Sequence, residues 1–230
     1  MIAATLAGLL ATMLDPTATA AQRNEACYAV RGERSPEAIA ALSDAISDKV
    51  VRACAARGLR EAGAIDQLLA ALNTTDADTQ MAAARELGEL RSPNALNALG
   101  RAAMSENALV GSSAIAALGA YPIGEALPLL LKAADQPGVN GINALEQAAH
   151  SKSPEILCRA RRVLADGDVA SQVIALAIIA DRGTAEDLPK LRELATHSDP
   201  QYSRGRGFGF MPPIDVARAA QTAIAKITAR

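Results

Sequence analysis

The chain has 230 residues and a formal net charge of −2, with half of its residues apolar but only 2% aromatic and no tryptophan. Alanine and leucine therefore supply most of the apolar side chains. Both favour helices, whereas strands favour β-branched and aromatic residues. The small net charge argues against a protein that binds nucleic acid through bulk attraction to phosphate. The composition predicts an all-helical protein with small residues at close helix–helix contacts.

The apolar segment IAATLAGLLATML at residues 2–14 has two interpretations. It resembles the apolar core of a signal peptide, with a possible cleavage site at Ala18-Thr19-Ala20. However, no lysine or arginine precedes it, and Asp15-Pro16 is typical of an N-cap followed by the first residue of a helix. We favour a helix of a partial repeat at residues 1–14 in a cytoplasmic protein. An exported protein is the alternative, if residues 1–20 are a signal peptide.

The sequence gives little indication of disulfides, metal sites or membrane spans. The three cysteines, Cys27, Cys54 and Cys158, lie far apart, so we expect buried, unpaired thiols and not a disulfide framework or a metal site. No stretch reaches the length of about 20 apolar residues that spans a membrane. We therefore expect no membrane span.

Short segments recur along the chain and define a repeat. They are RSPEAI at 34–39, RSPNAL at 91–96, KSPEIL at 152–157 and GTAEDL at 183–188. Each predicts the start of an amphipathic helix, with Ser or Thr as N-cap and, after Ser, a proline in the first turn. The first buried residues are predicted to be Ile39, Leu68, Leu96, Leu127, Leu157 and Leu188, a period of about 30 residues. An alanine-rich helix precedes each of these helices, and the helical pairs bury their apolar faces only when they stack.

The segments DKVVRACAARGLREAG at 48–63 and DVARAAQTAIAKI at 215–227 resemble the HEAT-like repeats of bacterial phycobilisome-lyase-type proteins. In that family an aspartate-led turn precedes a Val-Arg-x-x-Ala-Ala helix, and a Leu-Gly turn follows. Leu87-Gly88 and Leu118-Gly119 match that Leu-Gly turn. The resemblance implies a right-handed α-solenoid of stacked helical pairs over residues 15–230, in which Arg52 contacts acidic groups of an adjoining turn. It says little about activity, because such repeats serve as binding scaffolds, lyases and DNA-repair proteins.

An inserted loop at residues 200–213 interrupts the repeat, because a helix is expected directly after Ser198-Asp199-Pro200 but the helical pattern resumes only at residue 214. The loop holds three of the five aromatic residues, and insertions in repeat proteins often map to the binding face. Three interpretations remain open. Its aromatic residues cap the solenoid core, or the loop binds a partner protein, or its Arg-Gly pattern binds RNA.

The sequence contains no recognisable catalytic or metal-binding motif, so we predict no catalytic residue, metal or cofactor. Arg159 and Arg162 share a face of the helix that starts at Pro154, whereas Arg161 points elsewhere. They are candidates for an acidic-partner site in concert with Arg182, Arg192, Arg204 and Arg206, with an ordinary solvated face as the alternative. We predict a non-enzymatic scaffold that binds another protein or peptide along its concave face, and not nucleic acid. A lyase-type enzyme or enzyme accessory factor is the alternative. The candidate partner-binding residues are Tyr202, Arg204, Arg206, Phe208, Phe210, Met211, Arg159 and Arg162.

Overall fold

A computed structural model describes residues 5–196 and 215–230 of the chain. All the regular secondary structure of these residues is helical. The helices are α1 (Leu6–Leu14), α2 (Ala20–Val30), α3 (Pro36–Ala45), α4 (Arg52–Ala62), α5 (Ile65–Leu72), α6 (Ala77–Leu90), α7 (Pro93–Ala102), α8 (Ala108–Gly119), α9 (Ile123–Ala133), α10 (Val139–Ala148), α11 (Pro154–Asp166), α12 (Val169–Arg182), α13 (Leu188–Thr196) and α14 (Val216–Thr228). A short 3-10 turn at Ala185–Asp187 leads directly into α13.

The helices form two layers in the first compact unit, Met1–Ala133. The even-numbered helices α2, α4, α6 and α8 contact one another in succession, and the odd-numbered helices α1 to α9 do the same. Consecutive helices pack as pairs between the layers. The second unit, Ala134–Arg230, contains α10–α14, in which α12 packs against α11 and α14, and α14 also packs against α13. The chain is an all-α protein of the α-solenoid class, as predicted.

The predicted Ser-Pro helix starts are confirmed. Helices α3, α7 and α11 begin at Pro36, Pro93 and Pro154, where the fixed φ of proline suits the first helical turn. The side-chain oxygen of Ser35 accepts a hydrogen bond from the backbone N–H of Ala38 at 3.2 Å. The repeated tripeptide therefore sets where these helices begin.

The predicted register of buried residues is wrong by one residue in most repeats. Ile39, Leu96, Leu127, Leu157 and Leu188 are half-buried, and the residue before each of them is buried. The buried positions are Ala38, Leu68, Ala95, Ala126, Ile156 and Asp187. Alanine occupies three of these six positions, where its small side chain lets two helices approach closely. The residue that follows each of these positions is only half-buried.

Arginine–aspartate pairs connect successive repeats in the first unit. Arg52 Nη1 lies 2.8 Å from Asp78 Oδ2, and Nη2 lies 3.2 Å from Asp76 Oδ2, so the contact implied by the family resemblance is present. An equivalent pair, not predicted from the sequence, lies one repeat earlier, where Arg23 Nη2 is 2.6 Å from Asp48 Oδ2. Arg23 and Arg52 occupy equivalent places in the repeat. Arg23 lies four residues after Thr19, and Arg52 lies four residues after Asp48.

Arg23 is the more deeply buried of the two arginines, since its side chain is only 8% exposed. Its Nε also donates to the backbone carbonyl of Met13, which is itself fully buried at the end of α1. The hydrogen bonds from Arg23 and from the Val50 N–H lower the pKa of Asp48. A single side chain thus joins α1, α2 and the turn before α4.

Replacement of Arg23 by methionine is expected to lower the free energy of unfolding at pH 7 by about 2 kcal/mol, because charge-assisted hydrogen bonds are lost and Asp48 is left unpaired. A carboxylate with a lowered pKa stabilises the fold above its ordinary range and loses that contribution as the pH falls through its folded-state pKa. The deficit of the variant should therefore shrink below about pH 4. Urea unfolding of the wild type and the variant at neutral and acid pH measures this difference in unfolding free energy. Arg57→Met, at an exposed position of α4, is the control, and equal effects of the two substitutions would contradict the prediction.

A disulfide joins Cys27 of α2 to Cys54 of α4, with a Cα–Cα distance of 6.2 Å. The prediction of three buried, unpaired thiols is therefore wrong for these two residues, and the free thiol of Cys158 is exposed. The two bonded cysteines are 27 residues apart, which is close to one repeat. Stacking brings residues separated by one repeat side by side, so a separation that looks long in the sequence is short in space.

Helix α1 is packed into the first unit, where it contacts α2 and α3. Met13, near its end, is fully buried. Within residues 5–196 and 215–230, no helix is both long enough and apolar enough to cross a membrane.

Candidate functional site

The structure describes two of the eight candidate partner-binding residues. Arg159 and Arg162 lie on α11 and line the same cleft of the second unit. Tyr202, Arg204, Arg206, Phe208, Phe210 and Met211 lie outside the described residues, as does the whole of the 200–213 loop. Their role stays a prediction.

Helix α11 separates its three arginines as the helical spacing predicts. Arg161 points away from the cleft, and its Nε and Nη2 atoms lie 2.7 and 3.0 Å from the two carboxylate oxygens of Asp187. Asp187 is buried, and burial acts to raise its pKa, but the bonds from Arg161 and from the Thr184 N–H outweigh this and lower it. Asp187 occupies the repeat position that is apolar elsewhere, so this pair replaces an apolar contact.

The other arginines that the sequence suggested as companions do not join the cleft. Arg182 donates a hydrogen bond to the backbone carbonyl of Ala149 at the end of α10. Arg192 is exposed on α13 and is not among the residues that line the cleft. In the described part of the chain, the basic cluster therefore contains Arg159 and Arg162 but not Arg182 or Arg192.

The cleft, which we call the α11 cleft, has a volume of about 430 Å³. It lies between the loop that precedes α10, the first half of α10, the second half of α11 and the start of α12. Its charged lining residues are Asp135, Arg159, Arg162, Asp166 and Asp168, and its apolar wall is Ile142, Leu145 and Val163. This size falls within the range of pockets that hold small ligands or single peptide side chains.

A second, larger depression crosses three even-numbered helices of the first unit, and we call it the α6 groove. Its volume is about 650 Å³. Its lining residues are Lys49, Arg52, Ala53, Asp78, Met81, Ala82, Arg85, Gly88, Glu89, Ser113, Ala116, Ala117 and Ala120. Five alanines and a glycine line it, so the groove exists because the side chains between α4, α6 and α8 are too small to fill it.

The side chains around the α6 groove carry charges of both signs, and some of them are held in ion pairs. Arg52 is held by its two aspartates, and Arg85 Nε lies 3.1 Å from Oε1 of the buried Glu86. Lys49 is exposed and has no ion-pair partner among the described residues. Met81 is half-buried in the groove, and the flexible thioether of methionine adapts to varied apolar surfaces. The groove therefore combines a floor of small residues with a polar rim.

The α6 groove was not predicted from the sequence, because the alanines of these helices were interpreted only as core residues. The sequence does contain an indication of the groove, since alanines at positions 53, 82 and 116 recur about one repeat apart. Such positions line up when repeats stack.

In the described part of the chain, no three His, Cys, Asp or Glu side chains lie close enough together to hold a metal ion.

Part of the chain matches a known family of repeats. Residues 65–142 match the family model of HEAT repeats. This match agrees with the stacked helical pairs and with the arginine–aspartate contacts between repeats. Residues 65–142, about a third of the chain, are therefore similar to HEAT repeats. None of the curated proteins compared with it matches it in sequence.

Three solved structures are similar to this chain over almost its whole length, at low sequence identity. Human deoxyhypusine hydroxylase in complex with glycerol is 16% identical, with a TM-score of 0.46 over 98% of this chain and 96% of that one. The complex of CpcE and CpcF of phycocyanin lyase from Nostoc sp. PCC7120 is 19% identical, with a TM-score of 0.46 over 97% and 94% of the two chains. An engineered protein is 20% identical, with a TM-score of 0.45 over 98% and 99%. Similarity at this level does not transfer an activity.

Proposed function

We propose that this protein is a non-enzymatic scaffold that binds a partner protein or peptide, and that the α6 groove is the main contact surface. The observation that carries the proposal is the groove itself, which runs across three stacked helices, α4, α6 and α8. Stacked repeats create continuous surfaces of this kind, and repeat proteins use them to bind extended segments of their partners.

The chemistry of the groove supports a peptide or helix as the occupant. Ala53 and Ala116 are exposed on its floor, so the backbone of a partner segment has room to approach α4 and α8 closely. Met81 offers apolar contact between them, while Lys49 and Glu89 offer opposite charges at the rim. A groove with charges of both signs favours a particular register of its partner and not general attraction.

Filling the groove tests the proposal. Ala116→Arg places a long side chain across the floor from an exposed helical position, so the fold should be retained and partner binding should weaken at least about tenfold. The control is Ala40→Arg, which makes the same change at an exposed position of α3 in the same unit. Proteins recovered with the wild-type chain from its native cell are identified, and the affinity of each variant for the recovered protein is then measured by calorimetry.

The two arginine variants should differ. A partner protein that binds the wild type and Ala40→Arg equally but binds Ala116→Arg weakly supports the proposal. Equal binding of both variants would show that the α6 groove is not the contact surface. Recovery of a bound tetrapyrrole or nucleic acid without any protein would overturn the scaffold function itself.

The proposal extends to the 200–213 loop and to the location of the protein. The loop lies outside the described residues, and its aromatic and arginine side chains are of the types enriched at interface hot spots. The Cys27–Cys54 bond favours an oxidising compartment, since disulfides are rare in the cytosol. It therefore supports the exported alternative.

A further inference from the structure

One exposed residue in each even-numbered helix of the first unit lies at the same place in the repeat. These four residues, which we call the central row, are Tyr28, Arg57, Arg85 and Ala116. In each helix the two preceding residues are buried, and so is the residue two positions further on. Because α2, α4, α6 and α8 contact one another in succession, the four residues follow one another across the exposed face of this layer.

The two arginines of the central row have donors that the protein does not use. Arg57 is exposed and has no ion-pair partner among the described residues. Nε of Arg85 lies 3.1 Å from Glu86, but the Arg85 side chain is 58% exposed. The carboxylate of Glu86 is shared, since Nε of Arg60 also lies 3.2 Å from it. A guanidinium has five N–H donors, so both arginines of the row can still bind a carboxylate from outside.

The residues on the two sides of the central row differ in charge. One turn towards the helix N-termini, the corresponding residues are uncharged, namely Asn24, Ala53, Met81 and Ser112. One turn in the other direction lie Glu61 and Glu89. Nε of Arg31 lies 2.9 Å from Glu61, and Nη1 of Arg60 lies 3.8 Å from Glu89. This acidic flank disfavours a long polyanion such as nucleic acid and favours a partner with a few, well-spaced carboxylates.

Tyr28, at one end of the central row, offers an aromatic surface. It is 60% exposed, and the guanidinium carbon of Arg31 lies 5.4 Å from the centre of its ring. Because Arg31 is itself paired with Glu61, this contact restrains the ring. Exposed aromatic rings of this kind bind proline-rich segments.

The spacing of the central row matches one conformation of a bound chain. Packed helices lie about 8–10 Å apart, and successive residues of the row belong to successive helices. A polyproline II segment has about three residues per turn and rises about 3.1 Å per residue, so every third side chain lies on the same face, about 9 Å further on. In a β-strand the side chains of one face recur about every 7 Å, which is shorter than the spacing between helices.

We propose that the central row binds an acidic polyproline II segment of a partner protein. Two carboxylates three residues apart contact Arg57 and Arg85, and a proline three residues before or after them packs on Tyr28. Guanidinium–carboxylate contacts are directional, so the spacing of the two carboxylates sets the register of the segment. This inference rests on the proposed function, because Arg85 and Ala116 also line the α6 groove, and it names the chemistry of the partner.

The test uses the full chain and three heptapeptides with blocked ends. The first, Pro-Ala-Pro-Glu-Ala-Pro-Glu, has its carboxylates three residues apart. The second, Pro-Ala-Pro-Glu-Ala-Glu-Pro, has the same composition with the carboxylates two residues apart, and the third has glutamine in place of both glutamates of the first. The reversed sequence of each peptide is titrated as well, because the row does not fix the chain direction.

Each peptide is titrated into isotopically labelled protein, and the backbone amide signals of Tyr28, Arg57 and Arg85 are followed by NMR. The first peptide, in one of its two directions, should shift these signals in a saturable way. It should bind at least about threefold more tightly than the second and the third, because exposed ion pairs each contribute modestly. Its affinity should also fall as the salt concentration rises.

Arg57→Gln should raise the dissociation constant of the first peptide about threefold, and Arg57→Gln with Arg85→Gln should raise it about tenfold. Arg101→Gln, at an exposed position of α7 in the other layer of the same unit, should leave it unchanged. Arg57 has no partner in the described part of the chain, so its single substitution tests the proposal even if the double variant is less stable.

Four results would each overturn this inference. They are no saturable shift with the first peptide in either direction, equal binding of the first peptide and either of the others, equal affinity for the wild type and Arg57→Gln, and tighter binding of a short oligothymidylate than of the first peptide. Partner binding that is lost in Ala116→Arg while no heptapeptide binds would leave the proposed function in place and show that only the acidic segment is wrong.

Discussion

Replacement of Gly88 by alanine is expected to lower the free energy of unfolding by about 3 kcal/mol, the upper end of the range for overpacking. A Cβ atom at Gly88 would lie 2.8 Å from both Cα and Cβ of Ala117 on α8. Backbone atoms cannot rotate out of the way, so α6 and α8 must move apart and lose contacts along their length. We expect the midpoint of thermal unfolding, followed by circular dichroism, to fall by about 6–12 °C.

Gly124→Ala is the matched control for this prediction. Gly124 lies in the first turn of α9, and a Cβ atom there would meet no other atom within 4 Å. The same substitution should therefore be neutral or stabilising by up to about 1 kcal/mol, because alanine has the higher helix propensity. If both variants changed the midpoint in the same direction and by the same amount, the close approach of α6 and α8 would not be the cause.

Loss of the Cys27–Cys54 disulfide is expected to destabilise the first unit by about 3–4 kcal/mol. The bond closes a loop between residues 27 positions apart, and chain-entropy arguments assign that magnitude to a loop of this length. Cys54→Ala should therefore lower the urea midpoint markedly, and adding Cys27→Ala should lower it little further, because the bond is already gone. Urea unfolding of the single and double variants under non-reducing conditions measures both effects.

Thiol counting supplies an independent check on the disulfide. The unfolded, non-reduced protein should show one reactive thiol, that of Cys158, and three after reduction. Cys158→Ser should leave the urea midpoint unchanged, since this side chain is exposed. Three reactive thiols before reduction, together with additive effects of the two alanine substitutions, would show that the bond does not form.

The two glycine–leucine pairs show how local pattern and tertiary contact differ. The resemblance to the repeat family implies that Leu87-Gly88 ends a helix in a turn, but α6 continues to Leu90 and Gly88 lies inside it. Its lack of a side chain serves the contact with Ala117 and not a turn. Gly119, in the equivalent pair, is the last residue of α8, so there the expectation is close to the observed helix end.

The candidate sites were only partly predictable. Helical spacing correctly separates Arg161 from Arg159 and Arg162, because residues three apart share a face and adjacent residues do not. The partners of these arginines were not predictable, since Asp135 and Asp187 lie 24 and 26 residues away from them in the sequence. The α6 groove was missed for a related reason, since its floor is made by three helices from different repeats.

The sequence by itself determined that the protein is all-helical, that three of its helices start at Ser-Pro segments and that the pairs recur about every 30 residues. These features follow from local propensity, capping and periodicity, which act within one or two turns of a helix. Only the tertiary structure decided which residue of each stripe is buried, that Cys27 meets Cys54, and where the grooves and unpaired donors lie. Those features depend on how closely neighbouring helices approach, and that distance is set by pairs of residues about one repeat apart.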